Sequence, residues 1–276
     1  MDIRLIAMDL DGTALQPDRT NFSPRLRTAL DAAHRKGVAV VPITGRQFFL
    51  LPPAVRQGAA WEGLAVLSNG GEVRRLADGA LLSGHYLEPD VLLPLIDAAE
   101  KLGLPIELSG EEGLYLTRES WDCQRRTGGP LRFHLEDVLS RFGHETKDLR
   151  ALLELVRAVQ KANLPYVPDE VRSETERVLD ALPLSWFWSG PQAVEIAHPD
   201  ASKAGGLLEV CRLLDISPAQ AMALGDSGND IPMLRRAGLG VAMGNASPQV
   251  RAAADAVSAP YDQDGAALAV EQYVLR

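Results

Sequence analysis

Cysteine is almost missing from this chain. Cys123 and Cys211 are the only two in 276 residues, too few and too far apart for a disulfide framework or a thiolate metal site, so both read as buried free thiols. Histidine is nearly as scarce. His34, His85, His134, His144 and His198 are scattered, none at a ligand spacing such as HxxxH, and the expectation for all five is a surface or supporting role. There is no long apolar run either: the opening MDIRLIAMDLDGT meets its carboxylates within a dozen residues, far short of a secretory or membrane-spanning segment. Cytoplasmic residence and no membrane partner are therefore expected. Cationic excess is also absent. The formal charge is −9, and residues 83–198 hold 12 Lys+Arg against 20 Asp+Glu, while the rest of the chain holds 16 against 17. An acidic surface of this kind repels nucleic acid and anionic lipid, which are held mainly through phosphate contacts to Lys and Arg. No low-complexity block, fixed-period repeat or signal for oligomeric state appears.

What is present is ordinary globular material, 46% apolar and 24% charged, in a chain long enough to split into two cores. Ile3 to Met8 is apolar except for Arg4, which suits a parallel strand covered on both faces, and it delivers Asp9 at its carboxyl end. Ser23-Pro24 is an N-cap and first-turn signature, and the helical spacing after it runs to Lys36, where Gly37 stops it. A second apolar run, Val38 to Ile43, ends at Thr44-Gly45-Arg46. A third, Leu64 to Leu67, ends at Ser68-Asn69-Gly70. Strand and helix alternate here as in a doubly wound, mostly parallel α/β sheet. Between residues 83 and 198 the pattern changes to helices over 89–102 and 146–162, a strand over 104–108, and a hairpin from 184–188 and 193–197. After Lys203 the first pattern resumes: a helix to about Leu214, a strand over 221–224 leading into Gly225-Asp226, a helix from Asn229 and a strand over 239–242. The expected organisation is an α/β core, 1–82 with 199–276, interrupted by an inserted α+β domain, 83–198.

Four clusters fall at strand ends or helix starts, where open α/β sheets bind ligands. Asp9-Leu10-Asp11-Gly12-Thr13 offers two carboxylates at i and i+2, one to attack phosphorus and one to protonate the leaving oxygen and then activate water. Two Asp beside a turn can be just a turn, but a strand feeding DxDGT carries more information. Asp226 and Asp230 add hard oxygen ligands suited to Mg²⁺, with Asp9, Asp226 and the Asp11 carbonyl coordinating and Asp230 supporting through water or Asn229. A structural reading of the GDSGND turn, with Asn229 or Asp230 capping the next helix, stands beside this one. Thr44, the Gly45 amide and Lys203 can answer phosphoryl charge.

With those residues in place, the sequence resembles the haloacid dehalogenase-like hydrolase superfamily, in particular the Cof-type phosphatases with a type IIB cap. The matches are DLDGT at 9–13, ITGR at 43–46, SK at 202–203 and GDSGND at 225–230, with LSNGG at 67–71 and MGNAS at 243–247 as further family-like segments. Ala14 and Ala204-Gly205 depart slightly from the usual pattern, and the Ser227 form of the last motif also occurs in sucrose-phosphatase-like branches. The resemblance implies a Rossmann-like core with an inserted cap and a Mg²⁺-dependent phosphatase of small phosphorylated metabolites, sugar phosphates foremost. It implies Asp9 as nucleophile, Asp11 as acid/base, and Thr44 and Lys203 as phosphate stabilisers. Asp9, Asp11 and Asp226 would bind Mg²⁺, with Asn229 and Asp230 in support, and Leu10, Thr44, Gly45, Arg46, Lys203 and Asn229 would face the substrate. A phosphomutase using the same phospho-aspartate and a receiver-like signalling module are the competing readings. Trp186 and Trp188, on one side of a strand, read as hairpin packing, and Arg125-Arg126 near Gly128-Gly129-Pro130 as a solvated loop.

Overall fold

The computed structural model describes residues 2–56, 63–127, 131–132, 134–154, 156 and 158–276. Strand β1 (Leu5–Met8) explains its own composition: Ile6 and Met8 enter one apolar core and Leu5 and Ala7 another, on the opposite face of the sheet. Burial on both faces leaves no position for a polar side chain, hence the unbroken run. Helix α1 (Pro24–Arg35) starts where Ser23 Oγ accepts the Leu26 amide at 3.0 Å and places Leu26, Ala29, Leu30 and Ala33, the i, i+3, i+4, i+7 stripe, in the first core.

The chain divides into two compact units, Met1–Gly84 with Ala201–Arg276, and His85–Asp200. The first contains β1, α1, β2 (Ala39–Pro42), α2 (Pro53–Arg56), β3 (Leu64–Leu67), β4 (Glu72–Arg75) and β5 (Leu81–Gly84). The second contributes α3 (Pro89–Leu102), β6 (Glu107–Ser109), β7 (Leu114–Thr117), α4 (Arg118–Thr127), α5 (Ser140–Phe142), β8 (Gly143–Thr146), α6 (Leu149–Leu153), β9 (Lys161–Leu164), α7 (Arg172–Asp180), β10 (Ser185–Trp188) and β11 (Val194–Ala197). The chain then returns to the first unit with α8 (Lys203–Leu214), β12 (Ala221–Gly225), α9 (Ile231–Arg236), β13 (Leu239–Ala242), α10 (Pro248–Ala252), β14 (Ala256–Val257) and α11 (Gly265–Val270).

In the first unit the sheet runs β14-β13-β12-β1-β2, with every pairing parallel. Helices α1 and α11 pack on one face, α8 and α9 on the other, so the fold is doubly wound as expected. The winding direction reverses at β1, flanked by β12 and β2, and the gap above the carboxyl ends of β1 and β12 is where such sheets take ligands. The third apolar run departs from expectation. β3 meets the parallel sheet through the single bridge Ile43–Val66 and pairs in antiparallel fashion with β4, which pairs with β5.

The second unit carries a six-stranded sheet, β10-β11-β9-β6-β7-β8, antiparallel except between β7 and β8. One face bears Leu108, Ala162, Leu164, Val194 and Ile196 and packs with α3 and α7. The expected helix over 146–162 is shorter: α6 ends at Leu153, and Lys161–Leu164 is a central strand. Leu149, Leu152, Leu153 and Val156 keep helical spacing, but pairing of β9 with both β6 and β11 overrides local preference beyond α6. The strand expected over 104–108 lies at 107–109. Trp186 and Trp188 contact each other edge to face, donate to Asp180 and Glu176, and flank the apolar core, so packing is their role. Gly128-Gly129-Pro130 lie outside the described residues.

Candidate active site

β1 ends at Asp9, whose amide donates to Leu224 O at 3.0 Å on the neighbouring β12. The chain then turns through Leu10–Ala14, with Gly12 at φ +79°. Glycine is required there twice over: the positive φ is left-handed, and a Cβ would sit 2.5 Å from Asp226 Oδ2. Thr13 Oγ1 donates to Asp226 Oδ1 at 3.0 Å, tying the end of β1 to the end of β12.

Lys203 reaches the same point from the first position of α8, which Ser202 caps by accepting the Gly205 amide at 2.9 Å. Its Nζ donates to Asp9 Oδ1 and to Asp230 Oδ1, both at 2.7 Å. All three groups are buried, with Asp230 at 0% exposure. Asp230 Oδ2 accepts the amides of Asp226 and Ser227, each at 3.0 Å, so its two oxygens are already engaged and it holds the 225–230 turn in shape. Carboxylate oxygens of Asp9, Asp226 and Asp230 lie within 4.8 Å of one another.

Crowding of this kind perturbs protonation. Burial, with the neighbouring charges of Asp230 and Asp226, pushes the Asp9 carboxyl up to about 8 against the pull of Lys203. Burial and Asp230 likewise push Asp226 up to about 6, opposed by the Thr13 hydroxyl. Burial works against the charge of Lys203, but Asp230 and Asp9 outweigh it and hold its proton more firmly than usual. The donors are all hard oxygens, two of them reluctant to ionise beside each other, and the set fits a small dication such as Mg²⁺.

Asp11 is gripped by Arg46 through two hydrogen bonds, Nε to Oδ2 at 2.7 Å and Nη2 to Oδ1 at 2.6 Å, and Arg46 also donates to Arg19 O and Leu50 O. Thr44 is buried at the end of β2, its Oγ1 accepting the Arg46 amide at 3.2 Å. Leu10 is wholly buried as a side chain, which leaves its backbone for any ligand contact. Asn229 accepts from Ser227 Oγ at 2.6 Å and donates to Asn69 Oδ1 at 3.0 Å.

Two asparagines complete the cluster without having been singled out from sequence. Asn69, at φ +59°, lies against Gly45, where a Cβ would come within 3.0 Å of its Oδ1. Asn245 donates to Gly12 O at 2.9 Å and to Asp226 Oδ2 at 3.4 Å. Both lie in segments that the family resemblance marks, LSNGG at 67–71 and MGNAS at 243–247, at the turns after β3 and β13.

A family model described as haloacid dehalogenase-like hydrolase matches residues 6–270. YxeH of Bacillus subtilis (strain 168) is 31% identical over 99% of this chain and 98% of its own length. The 5-amino-6-(5-phospho-D-ribitylamino)uracil phosphatase YbjI of Escherichia coli (strain K12) is 28% identical, covering 92% of this chain and 90% of that protein. Among solved structures, the subclass IIB sugar phosphatase BT4131 superposes with a TM-score of 0.82 over 98% of each chain at 23% identity, a likeness of fold.

Proposed function

Because the chain belongs to the haloacid dehalogenase-like hydrolase family, we propose that it is a phosphatase that releases phosphate from a small phosphorylated metabolite through an acyl phosphate formed on Asp9. The observation that carries this reading is the buried ion pair of Asp9 with Lys203, 2.7 Å apart at the sheet's switch point, beside the Asp226 carboxylate. YbjI acts on a phosphorylated sugar-alcohol derivative, which sets the size and class of substrate envisaged here.

Asp9 would hold the Mg²⁺ ion with Asp226 and the Asp11 carbonyl, and Asp230 and Asn229 would brace those ligands. When bound, the ion supplies the positive charge that lets an anionic carboxylate approach an anionic phosphoryl group. Every other part is played by the chain. Lys203 keeps Asp9 oriented, and its ammonium offsets charge building on the transferring oxygens. Thr44 Oγ1 and the backbone amides around Leu10 and Gly45 would donate to phosphoryl oxygens. Asp11 protonates the departing alkoxide and then takes a proton from the water that cleaves the acyl phosphate. Arg46 orients Asp11 for that exchange, its fork matching the carboxylate on two atoms. The His85–Asp200 unit is assigned the choice of substrate.

Replacing Asp9 with Asn tests the reading: with a panel of phosphorylated sugars and sugar alcohols and Mg²⁺, the wild type should release phosphate. Asp9→Asn should fall to background with an unchanged circular dichroism spectrum. Retained turnover in that variant would remove Asp9 from the role of nucleophile.

A further inference from the structure

Three groups of metal-binding character meet in the second unit. His85 is the first residue of the second unit and Asp200 is its last, so the two segments that connect this unit to the rest of the chain meet here. The imidazoles of His85 and His198 stack with ring centroids 5.3 Å apart and planes 23° from parallel. One ligand atom from each of His85, His198 and Asp200 lies within 4.8 Å of the other two. Both histidines are half-buried, while Asp200 faces solvent.

Tautomer and spacing give the group direction. The Asp200 amide donates to His198 Nδ1 at 3.1 Å, which requires a lone pair on that nitrogen and the proton on Nε2. Asp200 Oδ2 lies 3.8 Å from the same Nδ1. That gap is too long for a hydrogen bond, but it is spanned by an ion bonded to nitrogen and to oxygen at about 2.0–2.2 Å each. Two imidazoles and one carboxylate are the donor set of zinc and its neighbours in the first transition row; magnesium prefers oxygen throughout. The donor chemistry therefore differs from that of the all-oxygen cluster at Asp9.

We propose that His85, His198 and Asp200 form a second metal site, for a borderline divalent cation such as Zn²⁺, Co²⁺ or Ni²⁺, with water completing the coordination. The ion links residue 85 to residues 198 and 200 and so fastens together the two connecting segments, 113 positions apart in the chain. Binding displaces the Asp200 amide from His198 Nδ1, and the exposed Asp200 carboxylate turns inward by a small rotation.

The test is equilibrium dialysis of the full-length protein against Zn²⁺ in a large excess of Mg²⁺, which keeps the oxygen cluster occupied, with Co²⁺ absorption as a second readout of coordination. One Zn²⁺ per chain should be retained, and the Asp9→Asn, Asp226→Asn double variant should retain it as well. The His85→Gln, His198→Gln double variant should lose it by more than the roughly 10–100-fold that loss of an outer partner brings. Asp200→Asn, at an exposed position where misfolding is no concern, should weaken it. Zn²⁺ should also raise the unfolding midpoint of the wild type and leave that of the histidine variant unmoved. No Zn²⁺ retained under excess Mg²⁺, or retention indifferent to the histidine and Asp200 substitutions, overturns the proposal. Retention that disappears with Asp226 instead would place the ion in the acidic cluster and leave the histidines a stacked pair.

Discussion

At the scale of single residues, the site turns on one ammonium shared by two buried carboxylates. Lys203 donates to Asp9 and Asp230 at 2.7 Å each, and removing a partner from a buried ion pair leaves charge that burial has already desolvated. Lys203→Met is therefore expected to lower the stability of the metal-free protein by about 3–5 kcal/mol, read as a lower urea midpoint in the presence of a chelator. A value under about 1 kcal/mol would mean that Asp9 and Asp230 are not held as described. The raised carboxyls make metal binding pH-dependent. Asp226 at about 6 and Asp9 at about 8 must both lose protons to coordinate an ion, so apparent Mg²⁺ affinity should climb between pH 6 and 8 and level off above. Up to about tenfold per pH unit is expected for each proton released. Calorimetric titration checks it, and a flat profile would contradict it. Arg46→Met should hurt poor leaving groups most: phosphate release from an alkyl ester should fall far more than release from p-nitrophenyl phosphate, whose phenolate needs little help from Asp11. Equal losses on both would make Arg46 a substrate contact.

The residues read from sequence were those whose type the chemistry dictates. Asp9, Asp11, Asp226 and Lys203 stand at strand ends and a helix start, and the proposed chemistry calls for carboxylates and an amine there. Asn69 and Asn245 gave a weaker signal, as members of family-like segments rather than as site residues in their own right.

Among elements, what places the site is close contact between backbones. Gly70, at φ +100°, follows β3, and a Cβ there would lie 2.0 Å from Ser202 O, the residue that caps α8 and precedes Lys203. Gly70→Ala should therefore do more than cost the roughly 1–2 kcal/mol of a left-handed alanine. It should push the start of α8 away and reduce turnover on the order of 100-fold, the scale expected when a catalytic group shifts by about 1 Å. Steady-state kinetics on a variant that still folds would check this, and unchanged turnover would free α8 from that contact. β1, α1, β2, α8, β12 and β13 were legible as elements because burial on both sheet faces, or on one helix stripe, prints a clear period. β3 was legible as a strand at Leu64–Leu67, but the antiparallel pairing that runs from it through β4 to β5, and β9 itself, were not. For β9 the pairing that decides it comes from β6 and β11, both distant in sequence.

For the molecule as a whole, the two units have separate cores, and the second carries nearly all the acidic excess. It also holds a buried carboxylate paired with a histidine. Glu107, with 0% exposure, accepts from Gln124 at 2.7 Å and faces His134 Nε2 at 2.8 Å. Burial opposes the charge on His134, but Glu107 outweighs it and raises the histidine's pKa. A raised value stabilises the fold fully below the unfolded value of about 6.5, and that contribution is lost as pH rises through the folded value. His134→Gln should thus destabilise the protein by roughly 1–3 kcal/mol near pH 5.5 and little at pH 9. Equal effects at both would show that the pair is not charged.

The claim beneath all of this is that Asp9 carries the phosphoryl group between substrate and water. Quenching the working enzyme in acid with a radiolabelled phosphate ester and mapping the labelled peptide reads it directly. The label should sit on the peptide containing Asp9, should be released by hydroxylamine as an acyl phosphate is, and should be missing from Asp9→Asn. Rapid phosphate release with no label on that peptide, or label on another residue, would contradict the account.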